Sequence, residues 1–417
     1  MLVDMHCHYP MHLLVEGAEG EGENAERVPD PGMNVTARAL THHHRGRRGW
    51  LRSLVIRIAA NWFNYRDDHW RVSLAELERG DVGAIYSVLY EPFAEFDLDE
   101  RYGAPPQPAY FPQLIELLDG VEEELAELDP NGERHAVVKS VAELDAALAA
   151  RKVAFMHCVE GGFHLGATLP EVRANVATLK QRGVVYVTLA HLFWRDVATD
   201  APAIPFLKDW LYKALFHQPG VGLNELGRAA VEAMYREGIL IDLSHMSERS
   251  IADTFELLEA LDKEHGLEPR ERPVVVTHAG YRFDRRGQEY MLSGETVRRI
   301  AARDGVIGLI MARHQLNDDI EMVDPDDPAE TPRVMKKHID AIRSHVPHHT
   351  NHHVAIGSDL DGFIKPTVAG IDTAGDLGSL EAPLREAYGG DADAILKDNA
   401  LRMARAALGA RRLPQGP

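Results

Sequence analysis

The residues best suited to chemistry begin six positions into the chain. His6 and His8 flank Cys7 at the end of a short apolar run, Leu2, Val3 and Met5, in which Asp4 is the polar exception. Side chains alternate faces along a strand, so a strand here turns both imidazoles one way and Cys7 the other. One such pair is weak evidence in a chain with 22 histidines. Further groups stand at the ends of later apolar runs: His157 and Glu160 before Gly161-Gly162, then His191, Asp242 to His245, Thr277-His278, and Gly357 to Gly362 with Asp359 and Asp361. Imidazoles gathered with carboxylates are the donors that a pair of divalent transition ions takes up, one carboxylate bridging them. The two glycines after Glu160 are expected to let the backbone approach such ions without a Cβ in the way.

For these groups to meet, the elements carrying them must converge. Short apolar runs at 84–89, 153–157, 184–189, 239–243, 274–277, 306–311 and 354–356 read as buried parallel strands. They alternate with helical patterns, the clearest at 111–128, where Leu114, Leu117, Leu118, Val121, Leu125 and Leu128 recur at three- and four-residue steps. Other helices are expected at 141–149, 171–181, 225–237 (stopped by Gly238), 251–261, 294–303, 335–343, 380–388 and 392–408. Counted from Leu2, eight strands bounded by helices predict a (β/α)8 TIM-like barrel. An open doubly wound sheet is the weaker alternative, because no glycine-rich fingerprint follows the first strand. In a barrel the C-terminal strand ends share one mouth, and six of the eight end in a metal-capable or acid/base side chain. The dense histidine run 345–353 precedes the last strand and so falls on the opposite face, where a solvent loop is expected.

One barrel domain is predicted over 1–410, with a tail at 411–417 and a long insertion at 9–80 after the first strand. Loops of that length in compact domains tend to be lids or binding loops. The aromatic stretch from Trp50 through Trp62, Phe63 and Trp70 either lines a pocket mouth or packs a small helix. With 45 basic against 65 acidic residues, the net charge of -20 argues against nucleic acid as a partner. The basic patch at 42–48 reads as a solvated loop. Two cysteines, Cys7 and Cys158, exclude a disulfide framework and are expected as small buried residues. No signal-type segment and no apolar run of membrane-spanning length is seen, so a cytoplasmic protein without membrane contact is expected.

Several segments together resemble the membrane dipeptidase (renal dipeptidase) family of the amidohydrolase superfamily. They are Val-Glu-Gly-Gly at 159–162, Leu-Ala-His at 189–191, Gly-Leu-Asn-Glu-Leu-Gly at 222–227, Ile-Asp-Leu-Ser-His at 241–245, Val-Thr-His at 276–278, Ile-Gly-Ser-Asp-Leu-Asp-Gly at 356–362 and Asp-Asn-Ala-Leu-Arg at 398–402. The resemblance implies a binuclear metal-dependent hydrolase, zinc being the expected metal, that cleaves the amide of dipeptides or dipeptide-like small molecules with a metal-bridged hydroxide. It implies that Glu160 bridges the ions, that His6, His8 and Asp359 serve one of them, and that His245 and His278 serve the other. His191 would then polarise the scissile carbonyl. Arg286, in preference to Arg285, would bind the substrate carboxylate, and a homodimer is implied. Asp359 is placed to take a proton from the nucleophile and hand it to the leaving nitrogen. Asp242 and Asp361 are expected to orient neighbours rather than bind metal. The resembled family usually has an aspartate where this chain has His8, which adds one unit of positive charge. That difference keeps open an amidohydrolase acting on a non-peptide amide, an N-acyl amino acid or a lactone. A catalytically silent binding barrel fits less well with an intact ligand set.

Overall fold

The computed structural model describes residues 1–14, 70–95, 105–204, 208–284, 288–362, 364 and 366–414. Most of the expected insertion (15–69, with the basic patch and most of the aromatic stretch), Arg285, Arg286 and the last three tail residues lie outside the described residues.

The apolar runs form strands β1 (Leu2–Cys7), β2 (Val82–Leu89), β3 (His135–Val137), β4 (Val153–Glu160), β5 (Tyr186–Thr188), β6 (Leu240–Asp242), β7 (Val274–Ala279), β8 (Val306–Leu309) and β9 (Val354–Ile356). All pair in parallel, in the order β2-β1-β9-β8-β7-β6-β5-β4, and a β2–β4 pairing closes the ring. The barrel therefore has the eight expected strands. β3 is additional: it pairs with Val153–Phe155 at the start of β4, while β5 reaches β4 only at Val159 and Glu160. The two short strands share one edge of β4.

Every residue of β1, β4 and β7 is buried, as a parallel strand covered on both faces requires. Polar caps open the surrounding helices. Ser140 caps Val141–Ala149, Thr168 forms a reciprocal capping box with Glu171 ahead of Leu169–Gln181, and Asn224 caps Glu225–Glu237. Gly238 ends that last helix in the left-handed conformation, φ 73°. The long helix Tyr110–Leu128 buries Leu114, Leu117, Leu118, Val121 and Leu125 as its spacing predicts. The expected helix at 392–408 is less regular, with a π-helical stretch Ala394–Asp398 before Asn399–Leu408. Among the described residues no helix is long and apolar enough to cross a membrane.

Two buried carboxylates tie the chain together beside the barrel mouth. Asp4 accepts hydrogen bonds from Ser358 N–H (2.8 Å) and Ser358 O–H (2.5 Å), joining β1 to the loop after β9. Asp361 accepts from the backbone N–H groups of Arg71 and Val72, both 2.9 Å, so the segment re-entering from the insertion is fastened to that same loop.

Candidate metal centre and active site

Seven side chains expected at the site meet at the C-terminal mouth. β1 brings His6 with His8 just beyond it, β4 ends on Glu160, and His191 and His245 follow β5 and β6. His278 lies in β7, and Asp359 follows β9. All are nearly inaccessible, the most exposed being Asp359 at 7%. Glu160 is the centre of the group. Its Oε1 lies 3.5 Å from His6 Nε2, 3.6 Å from His245 Nε2 and 3.5 Å from His278 Nε2. Its Oε2 lies 3.2 Å from His8 Nε2 and 3.4 Å from His191 Nε2. Neither oxygen makes a well-formed hydrogen bond to any described group, although both are buried. A buried carboxylate without such bonds is costly unless a cation completes it.

The spacings fit divalent ions. Donors about 2.05 Å from a tetrahedral ion stand about 3.3 Å apart, and donors at right angles about 2.9 Å. His6 and His8 are 3.3 Å apart at Nε2, and Asp359 Oδ1 lies 3.6 and 3.3 Å from them. His245 and His278 approach to 2.8 Å at Nε2. The groups His6/His8/Glu160, His6/His278/Asp359 and Glu160/His191/His245 each bring three donor atoms close enough to share an ion.

The electrostatics among these side chains show why cations belong there. Burial would raise the Glu160 carboxyl, but the surrounding imidazoles, His191 and His6 foremost, hold it well below the usual range. Burial would lower His8, yet its contacts with Asp359 and Glu160 push it up to about 10. His245 and His278 are driven well below the ordinary histidine value, first by burial and then by neighbouring imidazoles. The site thus holds protons on some imidazoles and excludes them from others, a division that bound metal would replace.

β1 does not alternate regularly. Asp4 pairs with Ile85 but Cys7 with Ser87, an irregularity between the two positions, and the two imidazoles still converge. Cys7 turns its thiol toward the Tyr86 carbonyl, and burial raises both the Cys7 and Cys158 thiols. His245 and Asp359 adopt left-handed φ values of 63° and 60°, rare for such residues and common where function over-determines the backbone. One expectation needs correction. His157 lies on the outer face of β4, 3.5 Å from Glu122, because Glu160 takes the inward register. Gly161 and Gly162 are required for local reasons: Gly161 has φ 96°, and a Cβ on Gly162 would come within 2.9 Å of the Leu189 carbonyl.

Asp242 does orient neighbours. Its Oδ1 accepts from Ser244 N–H and O–H and from Thr277 N–H, and its Oδ2 accepts from the hydroxyls of Thr188 and Thr277, each 2.6 Å. The Thr277 proton is thereby committed to Asp242, so its oxygen accepts from His6 Nδ1 (3.0 Å) and His278 Nδ1 (2.9 Å); the Tyr186 hydroxyl, which donates to the Met5 carbonyl (3.2 Å), likewise turns its oxygen to His6 Nδ1 at 2.8 Å. Both rings then carry Nδ1–H and turn the Nε2 lone pair to the centre. Thr277→Val keeps the shape and removes the acceptor. It is expected to weaken divalent-metal affinity roughly 10–100-fold, read by competition with a chelator, while Thr277→Ser binds like the parent. Unchanged affinity in the valine variant would remove this relay.

The short helix Pro92–Glu95 adds a residue that sequence reasoning missed. Glu95, fully buried, accepts from His191 Nδ1–H at 2.6 Å, Tyr90 O–H at 2.5 Å and Phe193 N–H at 2.7 Å. It follows the end of β2 by six residues, and β2 itself ends without a polar group, so spacing offered no signal. Tyr290 completes a wall, its ring 4.9 Å from that of His245 and its hydroxyl donating to the His278 carbonyl.

A family profile described as membrane dipeptidase (peptidase family M19) matches residues 2–415. The chain is similar to dipeptidase tcpJ of Claviceps purpurea, 22% identical over 347 residues covering 79% of this chain and 68% of that protein. It is also similar to dipeptidase verJ of Clonostachys rogersoniana, 24% identical over 349 residues covering 81% and 74%. Among solved structures, a metallopeptidase from Rhodobacter sphaeroides, liganded with a phosphinate mimic of the dipeptide L-Ala-D-Ala, aligns with a TM-score of 0.65 at 17% identity, covering 97% of this chain and 99% of that one. A dipeptidase of family M19, dipeptidase AC, aligns with a TM-score of 0.65 at 18% identity, covering 98% and 99%.

Proposed function

The chain belongs to the membrane dipeptidase family, peptidase family M19, and from that premise we propose that it hydrolyses the amide bond of dipeptides or dipeptide-like small molecules at a centre for two divalent ions, zinc being the metal. The observation that carries this reading is Glu160, buried without a well-formed hydrogen bond and facing five imidazole nitrogens at 3.2–3.6 Å. Glu160 would bridge, with His6, His8 and Asp359 on one ion and His245 and His278 on the other. Bound there, the ions would supply a water acidified from a pKa of about 15.7 toward about 7, available as hydroxide at neutral pH.

The chain's own groups do the rest. Asp359 takes the proton released as the nucleophile attacks and returns it to the departing nitrogen, as general base and then acid. The main chain that carries its carboxylate is held by the Asp359 N–H bond to the His6 carbonyl, 2.8 Å. His191 faces the scissile carbonyl with Nε2 and stabilises the developing oxyanion. The near-complete burial of these groups keeps bulk water out and strengthens each interaction. Arg286 or Arg285 would read the substrate carboxylate, which suits a substrate ending in a free acid.

The test is a panel of L,L and L,D dipeptides, N-acyl amino acids and lactones, assayed with added zinc. Dipeptides are expected to be the substrates turned over with the highest kcat/KM. Hydrolysis of lactones or N-acyl amino acids with dipeptides untouched would overturn the dipeptidase reading and leave the hydrolase one.

A further inference from the structure

Glu95 is a fully buried carboxylate beside the site that the mechanism above leaves without a task. Its Oε2 receives both the His191 Nδ1–H and the Tyr90 hydroxyl, and its Oε1 receives the Phe193 N–H. The Glu95 carbonyl is in turn held by the Arg195 guanidinium, at 3.1 Å from Nε and 2.6 Å from a terminal nitrogen. These contacts join the short helix after β2 to the loop after β5 and leave the Glu95 side chain a single position.

A carboxylate has no proton to give, so the His191 nitrogen facing it must carry one. The His191 ring is also wedged edge-on between Tyr90, centroids 4.6 Å apart, and His245, 4.5 Å. A half-turn of the ring, which exchanges Nδ1 with Cδ2 and Nε2 with Cε1, would lose the 2.6 Å bond and leave a buried carboxylate oxygen short of a donor. The remaining nitrogen, Nε2, is therefore the one that faces Glu160 and the reaction centre.

We propose that Glu95 is a positioning residue for the hydrolysis: it holds His191 by Nδ1–H so that Nε2 points at the reacting carbonyl, and its carboxylate supports the imidazolium, whose Nε2–H can donate to the oxyanion. It acts only through His191. The proposal rests on the functional reading above, since a carbonyl at Nε2 is what that reading supplies.

Glu95→Gln removes the negative charge and one of the two accepting oxygens, so the ring is no longer held doubly protonated with Nε2–H aimed at the carbonyl. The expected result is a kcat lower by roughly 10²–10⁴-fold, the range seen when an oxyanion donor is lost or a catalytic imidazole is mis-set, with KM and bound metal unchanged. His191→Ala is expected to lower kcat similarly, and the Glu95→Gln/His191→Ala double variant to be no worse than His191→Ala alone. Losses that multiply in the double variant would overturn the proposal, because Glu95 would then act by another route. Long-range ¹⁵N–¹H spectra of histidine-labelled wild-type protein provide a second reading that depends on neither variant folding nor turnover. They should show His191 protonated at both ring nitrogens; a proton on one nitrogen alone would also overturn it. If the wild type cleaves no dipeptide yet shows the doubly protonated signature, the functional reading has failed and the positioning geometry stands.

Discussion

Replacing Glu160 with glutamine is expected to strip the protein of both metal ions and to lower dipeptide turnover by on the order of 10⁴-fold or more, because the ligands act as a unit rather than additively. Glutamine keeps the volume of the side chain, so barrel packing is not disturbed. Among the described residues it removes the only negative charge within 3.6 Å of His245 and His278 and one of two beside His6 and His8. Its amide also offers donors to imidazoles that should present lone pairs. Metal content falling well below one ion per chain, with an unchanged far-ultraviolet circular dichroism spectrum, is the expected signature. A glutamine variant that still carries two ions would show that Glu160 does not bridge them.

Asp359→Asn should leave metal largely in place while kcat falls roughly 10²–10⁴-fold, the usual contribution of a positioned acid/base group. Asparagine suits this test because it tolerates the left-handed backbone that Asp359 adopts, φ 60°, so a loss is not backbone strain. The bond from residue 359 N–H to the His6 carbonyl is a main-chain one and survives the change. What disappears is the proton acceptor. Assays at saturating zinc, with metal counted in the same sample, separate weakened binding from lost proton transfer. Wild-type kcat in the fully loaded variant would remove the proton-transfer role from Asp359.

The barrel was legible because its strands are buried on both faces and so read as apolar runs, and because Gly238 marks a helix end with its own chemistry. The site was legible through one geometric rule, that strand ends of a barrel share a mouth, which brought His6, Glu160, His245 and His278 together from distant parts of the chain. β3 escaped notice because its apolar run, Ala136 to Val138, is only three residues long between His135 and Lys139. Glu95 escaped because it reaches the site from a short helix beyond a strand that ends without a polar group. Thr277 stood in view beside His278, but its work depends on the direction of hydrogen bonds to Asp242, His6 and His278, which no spacing encodes. His157 misled for the complementary reason: on a strand, one step along exchanges lumen for helix layer.

The central claim, that two bound divalent ions make this barrel a dipeptide hydrolase, is tested most directly by removing and restoring the metal. Protein stripped with chelator is titrated with zinc while dipeptide hydrolysis and bound metal are followed together. Two ions per chain are predicted, with turnover absent from the stripped protein and rising to its full value as the second ion binds. Undiminished turnover in the stripped protein, or no zinc bound at saturation, would contradict the account.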